Sequence, residues 1–279
     1  MSSSLFNRLE KLDRRWIFLL VALAVLIPLL FPLRIPLQTA ASTQAYYDQI
    51  EKLPEGSLIL ISCDFDPGSK AELYPMTEAT LRHVFRKNLR PVIFSLWPAG
   101  PPMVELALQR VLSEYGSAKR EGIDYVNLGF KEGREAVIVD MGRSIRNVFP
   151  NDYHGRPIAE IPIMQGVENY SSFPLFANIS VGYPGTKEYV QYAQSRFNIT
   201  MISGAGAVSV PEYSAYLQTG QLKGMLSGIA GCAEYEQLLD KPALALTFMD
   251  AQSAGHVLIV LLIIAGNVIY FAMRRRRAR

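Results

Sequence analysis

Two uncharged apolar segments, one near each end of the chain and each bordered by basic residues, constrain this protein more than any other feature. Trp16 to Leu33 carries no formal charge over 18 residues. As a helix it would rise about 27 Å, close to the hydrocarbon thickness of a bilayer. Arg8, Lys11, Arg14 and Arg15 precede it and Arg34 follows. Trp16 suits a membrane–water interface, and Pro28 and Pro32 predict a kink or an end near the far side. The second segment, Ala251 to Met273, has its apolar heart from Val257 to Met273 and is followed at once by Arg274 to Arg277. The sequence therefore predicts transmembrane helices over 16–33 and 251–273. For the first, a cleaved signal peptide is the competing reading. The nearest small-residue site is Thr39-Ala40-Ala41-Ser42, and the length of the apolar run favours an uncleaved anchor. Asn267 lies inside the second segment. An amide there either bonds the first helix or another subunit, or sits near enough to the interface to reach water.

Flanking charge sets the expected orientation. The positive-inside rule places residues 1–15 and 274–279 in the cytoplasm and residues 34–250 across the membrane, with a bacterial inner membrane the best fit. The net charge of +3 is unevenly spread: residues 1–34 carry five basic and two acidic groups and residues 274–279 five arginines, while 35–273 carry 18 basic and 23 acidic. The positive charge thus sits beside the apolar segments, which argues against a nucleic-acid partner and for the lipid bilayer. Cys63 and Cys232 read as buried side chains or as one disulfide if the domain faces an oxidising compartment. His83, His154 and His256 lack metal-ligand spacing, so no Cys/His zinc site is expected. Asn-x-Ser/Thr triplets start at Asn169, Asn178 and Asn198 and carry no weight alone.

The chain between the anchors alternates buried-strand and helix signals. Residues 42–55 have helical spacing that ends at Pro54-Glu55-Gly56. Ser57 to Phe65 is a near-continuous apolar run, Pro75 to Asn88 an amphipathic helix, and Pro91 to Trp97 a second buried strand. Pro101 and Pro102 open a helix that stops at Gly116, followed by a strand at Tyr125 to Phe130 and a helix candidate over 134–148. Residues 149–172 read as a long loop. Then come a strand at Phe173 to Val181, a helix at Pro184 to Phe197, a strand at Ile199 to Ser203 and a helix from Pro211. Apolar strands alternating with helices predict a Rossmann-like, three-layer α/β domain with a mostly parallel sheet. The apolar linker after Pro242 predicts that the last domain helix runs straight into the second anchor.

Three constellations are candidates for chemistry. Cys63-Asp64-Phe65-Asp66-Pro67-Gly68-Ser69 follows the first strand, where open α/β sheets bind ligands, and two carboxylates two residues apart suit a magnesium ion. The placement resembles the first motif of haloacid-dehalogenase-type phosphatases, and Ser95 falls near that family's Ser or Thr. The resemblance implies Asp64 as nucleophile and Asp66 as acid/base, although Gly68 stands where the family has Thr. The alternative is that both acids cap the following loop and bond backbone amides. Gly204-Ala205-Gly206-Ala207-Val208-Ser209 joins a strand to a helix. It offers either an anion site at Gly204, Gly206 and Ser209 or a plain tight turn, with Ser209 and Glu212 as a capping box. Gly220, Gly224, Gly228 and Gly231 have the spacing of one helical face, for close packing inside the domain or against another subunit.

Two function classes follow. The first is a non-catalytic, assembly-type subunit of an envelope membrane complex, with other membrane proteins as partners and no cofactor. The second is a tethered magnesium-dependent hydrolase using Asp64 and Asp66. A ligand-sensing domain built on the Gly204 loop is a third possibility.

Overall fold

The computed structural model describes residues 13–277. Expectations for residues 1–12, including Arg8 and Lys11, and for Arg279 fall outside the described residues. The chain forms two compact units, Leu37–Ala245 and a second made of Met1–Pro36 with Leu246–Arg279.

In the second unit, α1 (Arg14–Leu30) holds 17 residues, with Pro28 inside it and Asp13 accepting a hydrogen bond from the Arg15 amide at its start. The helix ends at Leu30, three residues short of the predicted span. Among the described residues one helix is long and apolar enough to cross a membrane, over Leu244–Ala272, so the expected pair of spans is met at the second segment only. Arg34, at φ 54°, turns the chain so that the Arg34 and Ile35 amides both donate to the Asp250 carboxylate. Asn267 is exposed and makes no hydrogen bond to the described residues of α1.

The larger unit is an all-parallel six-stranded sheet of β1 (Leu58–Asp64), β2 (Arg90–Ser95), β3 (Val126–Phe130), β4 (Phe176–Ser180), β5 (Met201–Ala205) and β6 (Leu222–Ser227), in the order 3-2-1-4-5-6. That order is the doubly wound arrangement, and it reverses direction between β1 and β4. Near-continuous burial of β1, β2, β4 and β5 follows from helices covering both faces. On one face α2 (Ala41–Glu51), α3 (Lys70–Arg86) and α4 (Gly100–Leu112) pack with α10 (Gly228–Leu238). On the other lie α5 (Arg134–Met141), α6 (Ile145–Val148), a helical stretch from α7 (Thr186–Tyr189) through a π-helical Val190–Gln194 to α8 (Ser195–Phe197), and α9 (Val210–Gln218). Phe94, Phe149, Phe176, Tyr170 and Tyr189 form an aromatic core there, with ring centroids 5.0–6.3 Å apart. Such pairs contribute about 0.5–1.5 kcal/mol each beyond area burial.

Several expectations are corrected. Helix α3 starts at Lys70, not at Pro75. The proline sits in its sixth position, past the first turn, where it leaves one carbonyl of the helix start without an intrahelical donor. The helix expected over 134–148 breaks at Gly142 to Ser144, and the Ser144 hydroxyl accepts from the Asn147 amide to start α6. Residues 149–172 are not a bare loop: short 3-10 turns carry Ile158, Ile161, Ile163, Met164, Val167 and Tyr170 into the core. The four-glycine face does not exist, because Gly220 lies in a turn, Gly224 on β6, and Gly228 and Gly231 on α10. Gly224 is nonetheless a packing residue, since a Cβ there would lie 2.3 Å from the Tyr46 backbone nitrogen of α2. Finally, α10 ends at Leu238, Asp240 turns at φ 51°, and a new helix, α11 (Leu244–Arg277), begins after Pro242. The last domain helix therefore does not run into the apolar one.

Candidate functional site

Strand register places polar side chains in rows at the carboxyl ends of the central strands. Ser62 of β1 is opposite Asn178 of β4, which is opposite Ser203 of β5, and Asp64 is opposite Ser180 one step further on. Residues two apart on a strand share a face, so Ser62, Asp64, Asn178, Ser180 and Ser203 all point the same way. They meet in one buried network. Asn178 Nδ2 donates to Ser62 Oγ at 2.6 Å and to Asp64 Oδ2 at 3.2 Å. Its Oδ1 accepts from Ser180 at 2.7 Å and from Thr186 at 2.6 Å, and Thr186 Oγ1 lies 2.7 Å from Ser203 Oγ. The second Asp64 oxygen accepts from the Leu96 amide at 2.6 Å and from Ser95 Oγ at 3.2 Å.

Every member of this network is buried, including the Asp64 carboxylate at 0% exposure. Burial pushes the Asp64 carboxyl up to about 6, against the pull of the Leu96 amide, which favours the ionised form. The Tyr189 hydroxyl is buried beside it, and burial drives that phenol well above its ordinary range. Trp97 and the β4–α7 turn lie alongside. The indole Nε1 donates to the Pro184 carbonyl at 3.0 Å, tying the end of β2 to the turn after β4.

Asp64 and Ser95, both singled out at strand ends in the sequence, are in direct contact. Asp66 acts locally instead, where its Oδ1 accepts from the Ser69 amide and caps the short turn before α3. Among the described residues, no group of three or more His, Cys, Asp and Glu is placed to hold a metal ion. Cys63 and Cys232 are both free and buried. Asn178 is a hub of the core, so its glycosylation triplet is not a surface feature of the folded chain.

At the Gly204–Ser209 loop the chain supplies its own anion. Glu72 Oε1 of α3 accepts from the Ala207 amide at 2.9 Å, and a Cβ on Gly206 or Gly228 would crowd the same carboxylate. Ser209 makes no capping bond and Glu212 pairs with Lys187 at 2.8 Å, so the expected capping box is absent. Asn178, Thr186, Ser203, Glu72 and Trp97 escaped the sequence reading. The one available signal was polar residues two apart in otherwise apolar strands, Ser62 with Asp64 and Asn178 with Ser180.

Two open clefts flank this filled centre. One of about 470 Å³ lies among Pro98, Pro101, Phe130, Asp152 and Tyr153. A second of about 260 Å³ lies among Trp97, Phe130, Glu132, Arg134 and Tyr183.

No protein-family profile matches the sequence, and no curated protein matches it. Among solved structures the chain is similar to trehalose-6-phosphate synthase OtsA, at 10% identity and a TM-score of 0.33, over 83% of this chain and 45% of that one. The chain thus spans less than half of that enzyme, and a likeness of this size says nothing about activity.

Proposed function

We propose that this chain is a membrane-anchored, non-catalytic α/β subunit of an envelope membrane complex, with α1 and α11 both spanning the bilayer, both ends cytoplasmic and the sheet domain outside. The observation that carries the reading is the filled switch point. Where doubly wound sheets usually hold a ligand, between β1 and β4, Asp64, Ser95, Asn178 and Thr186 satisfy one another. The Gly204 loop is likewise occupied by Glu72. A fold whose usual ligand positions are sealed by its own side chains is suited to presenting surface. The hydrolase reading would need Asp64 and Asp66 to share an ion, and each is instead committed to separate donors.

The test is extraction from the native membrane in mild detergent, followed by mass and composition of the eluted species. A discrete assembly with stoichiometric partners is expected. A lone monomer or homodimer would sink the proposal.

A further inference from the structure

The smaller cleft, at the carboxyl ends of β2 and β3, is built from side chains that the chain holds in place. The Trp97 indole is fixed by its bond to the Pro184 carbonyl, and its ring edge lies over Gly182. Tyr183 is 48% exposed, yet its hydroxyl donates to Glu135. The Arg134 guanidinium sits 5.2 Å from the Tyr183 ring centroid. Phe130 forms another wall and is 37% exposed. Large aromatic side chains left exposed around a concavity mark a contact site more often than scattered apolar ones do.

The backbone adds a second, independent observation. Gly133 at φ 133° leads into Arg134 at φ 51°, a conformation that costs a non-glycine residue about 1–2 kcal/mol. Such strain persists where the surrounding structure holds it and tends to gather at binding sites. Here it sets Glu132 and Arg134 on the rim of one cleft, and neither forms an ion pair among the described residues.

The chemistry of this lining selects a ligand class. A simple anion meets Glu132, and a purely apolar ligand strips water from both Glu132 and Arg134 without replacing their hydrogen bonds. Glu132 only accepts hydrogen bonds and Arg134 only donates them. A ligand that satisfies both while packing on the rings needs an apolar face and a rim of groups that donate and accept. A pyranose has both: C–H bonds on its face and hydroxyls around its edge. The volume of about 260 Å³ lies below the ~300–1,000 Å³ of pockets for drug-sized ligands and suits one ring. The 470 Å³ cleft shares Pro98 and Phe130 with it and offers exposed Tyr153 to a second ring.

We propose that the Trp97–Phe130–Tyr183 cleft binds a sugar ring, stacked on these aromatics and hydrogen-bonded through Glu132 and Arg134. This site is separate from the filled switch point and does not depend on the assembly role. The two tryptophans are Trp16 and Trp97. The full chain carrying Trp16→Phe, held in a zwitterionic detergent without a sugar headgroup, therefore reports from Trp97 alone. Its emission would be titrated with glucose, galactose, N-acetylglucosamine, maltose and N,N′-diacetylchitobiose. A saturable change with at least one sugar is expected, weakened tenfold or more by Arg134→Ala and by Tyr183→Ala while the unfolding midpoint stays put. A disaccharide binding tenfold tighter than its monosaccharide identifies a glycan chain, and equal binding a free sugar; both uphold the site. No saturable response to any of the five sugars overturns the proposal. So does a response that survives both substitutions, or an equal response to benzoate.

Discussion

The middle of the sheet's carboxyl edge and its β2–β3 flank use the same kind of strand-to-helix loop, yet they are finished in opposite ways. In the middle, Asp64, Asn178, Ser180, Thr186 and Ser203 are each buried and bonded to one another. On the flank, Phe130 and Tyr183 stay exposed and Glu132 and Arg134 face open space. The centre exchanges a ligand's hydrogen bonds for internal ones and gains rigidity, because a fully satisfied buried network tolerates little change. The flank leaves Glu132 and Arg134 without an ion pair among the described residues and bears backbone strain instead. A doubly wound sheet can therefore move its recognition surface sideways without changing topology.

The largest expected effect comes from breaking the centre. Asn178→Leu removes the hub of four hydrogen bonds and leaves Ser62, Asp64, Ser180 and Thr186 short of a partner. Unmet buried polar groups cost about 1–3 kcal/mol each, so a loss of roughly 3–5 kcal/mol is expected in urea unfolding of the full chain in micelles. Tyr183→Ala on the flank should change the same midpoint by less than about 1 kcal/mol. If the two losses were alike, the contrast between the regions would be gone.

Acidity sharpens the same comparison. Burial raises the Asp64 carboxyl from 3.8 to about 6, so the folded state holds its proton more tightly than the unfolded chain. That contribution is present in full below pH ~4 and is lost as pH rises through ~6, a span of about 3 kcal/mol. His83 works the other way. Burial, helped by Arg86, lowers it from 6.5 to about 4, so its contribution is present above the unfolded value and is lost as pH falls through ~4. The two slopes oppose each other between pH ~4 and ~6, and the wild-type chain should show a shallow profile there. His83→Gln should expose a fall in stability with rising pH, and Asp64→Asn a rise. Parallel profiles for the two variants would refute the assignment.

How much of this was legible in the sequence depends on whether the cause was local. The runs at Ser57 to Phe65 and Pro91 to Trp97 announce β1 and β2 because strands covered on both faces need apolar residues throughout. Strand β6 was hidden by Gly220, Gly224, Gly228 and Gly231, whose helical spacing is a coincidence of a turn, a strand and a helix start. Gly224 is small for a reason that lies in Tyr46, far away in sequence. Asp64 and Ser95 stood out at strand ends, but Asn178 lies 114 residues from Asp64 and only the 1-4 adjacency of strands brings them together. Likewise Glu72 could not be read as the occupant of a loop more than 130 residues downstream.

Trp97 joins the two regions, and its substitution tests whether they depend on each other. Trp97→Phe keeps a ring in the cleft but leaves the Pro184 carbonyl without its donor. The expected loss is about 1 kcal/mol, with the Asp64 titration unmoved because the Leu96 amide and Ser95 still hold that carboxylate. A shift in that titration would mean that the latch, and not the network, keeps the centre closed.

The smallest effect has the opposite sign. Arg134→Gly lets the φ 51° backbone relax, releasing about 1–2 kcal/mol of strain while adding freedom to the unfolded chain, for a net gain of roughly 0.5 kcal/mol. The same change removes the guanidinium beside Tyr183 and should abolish the Trp97 response to sugars. Stability and binding would then move in opposite directions at one residue. That is the signature of strain kept for recognition, because a residue retained for the fold alone would lose stability when replaced.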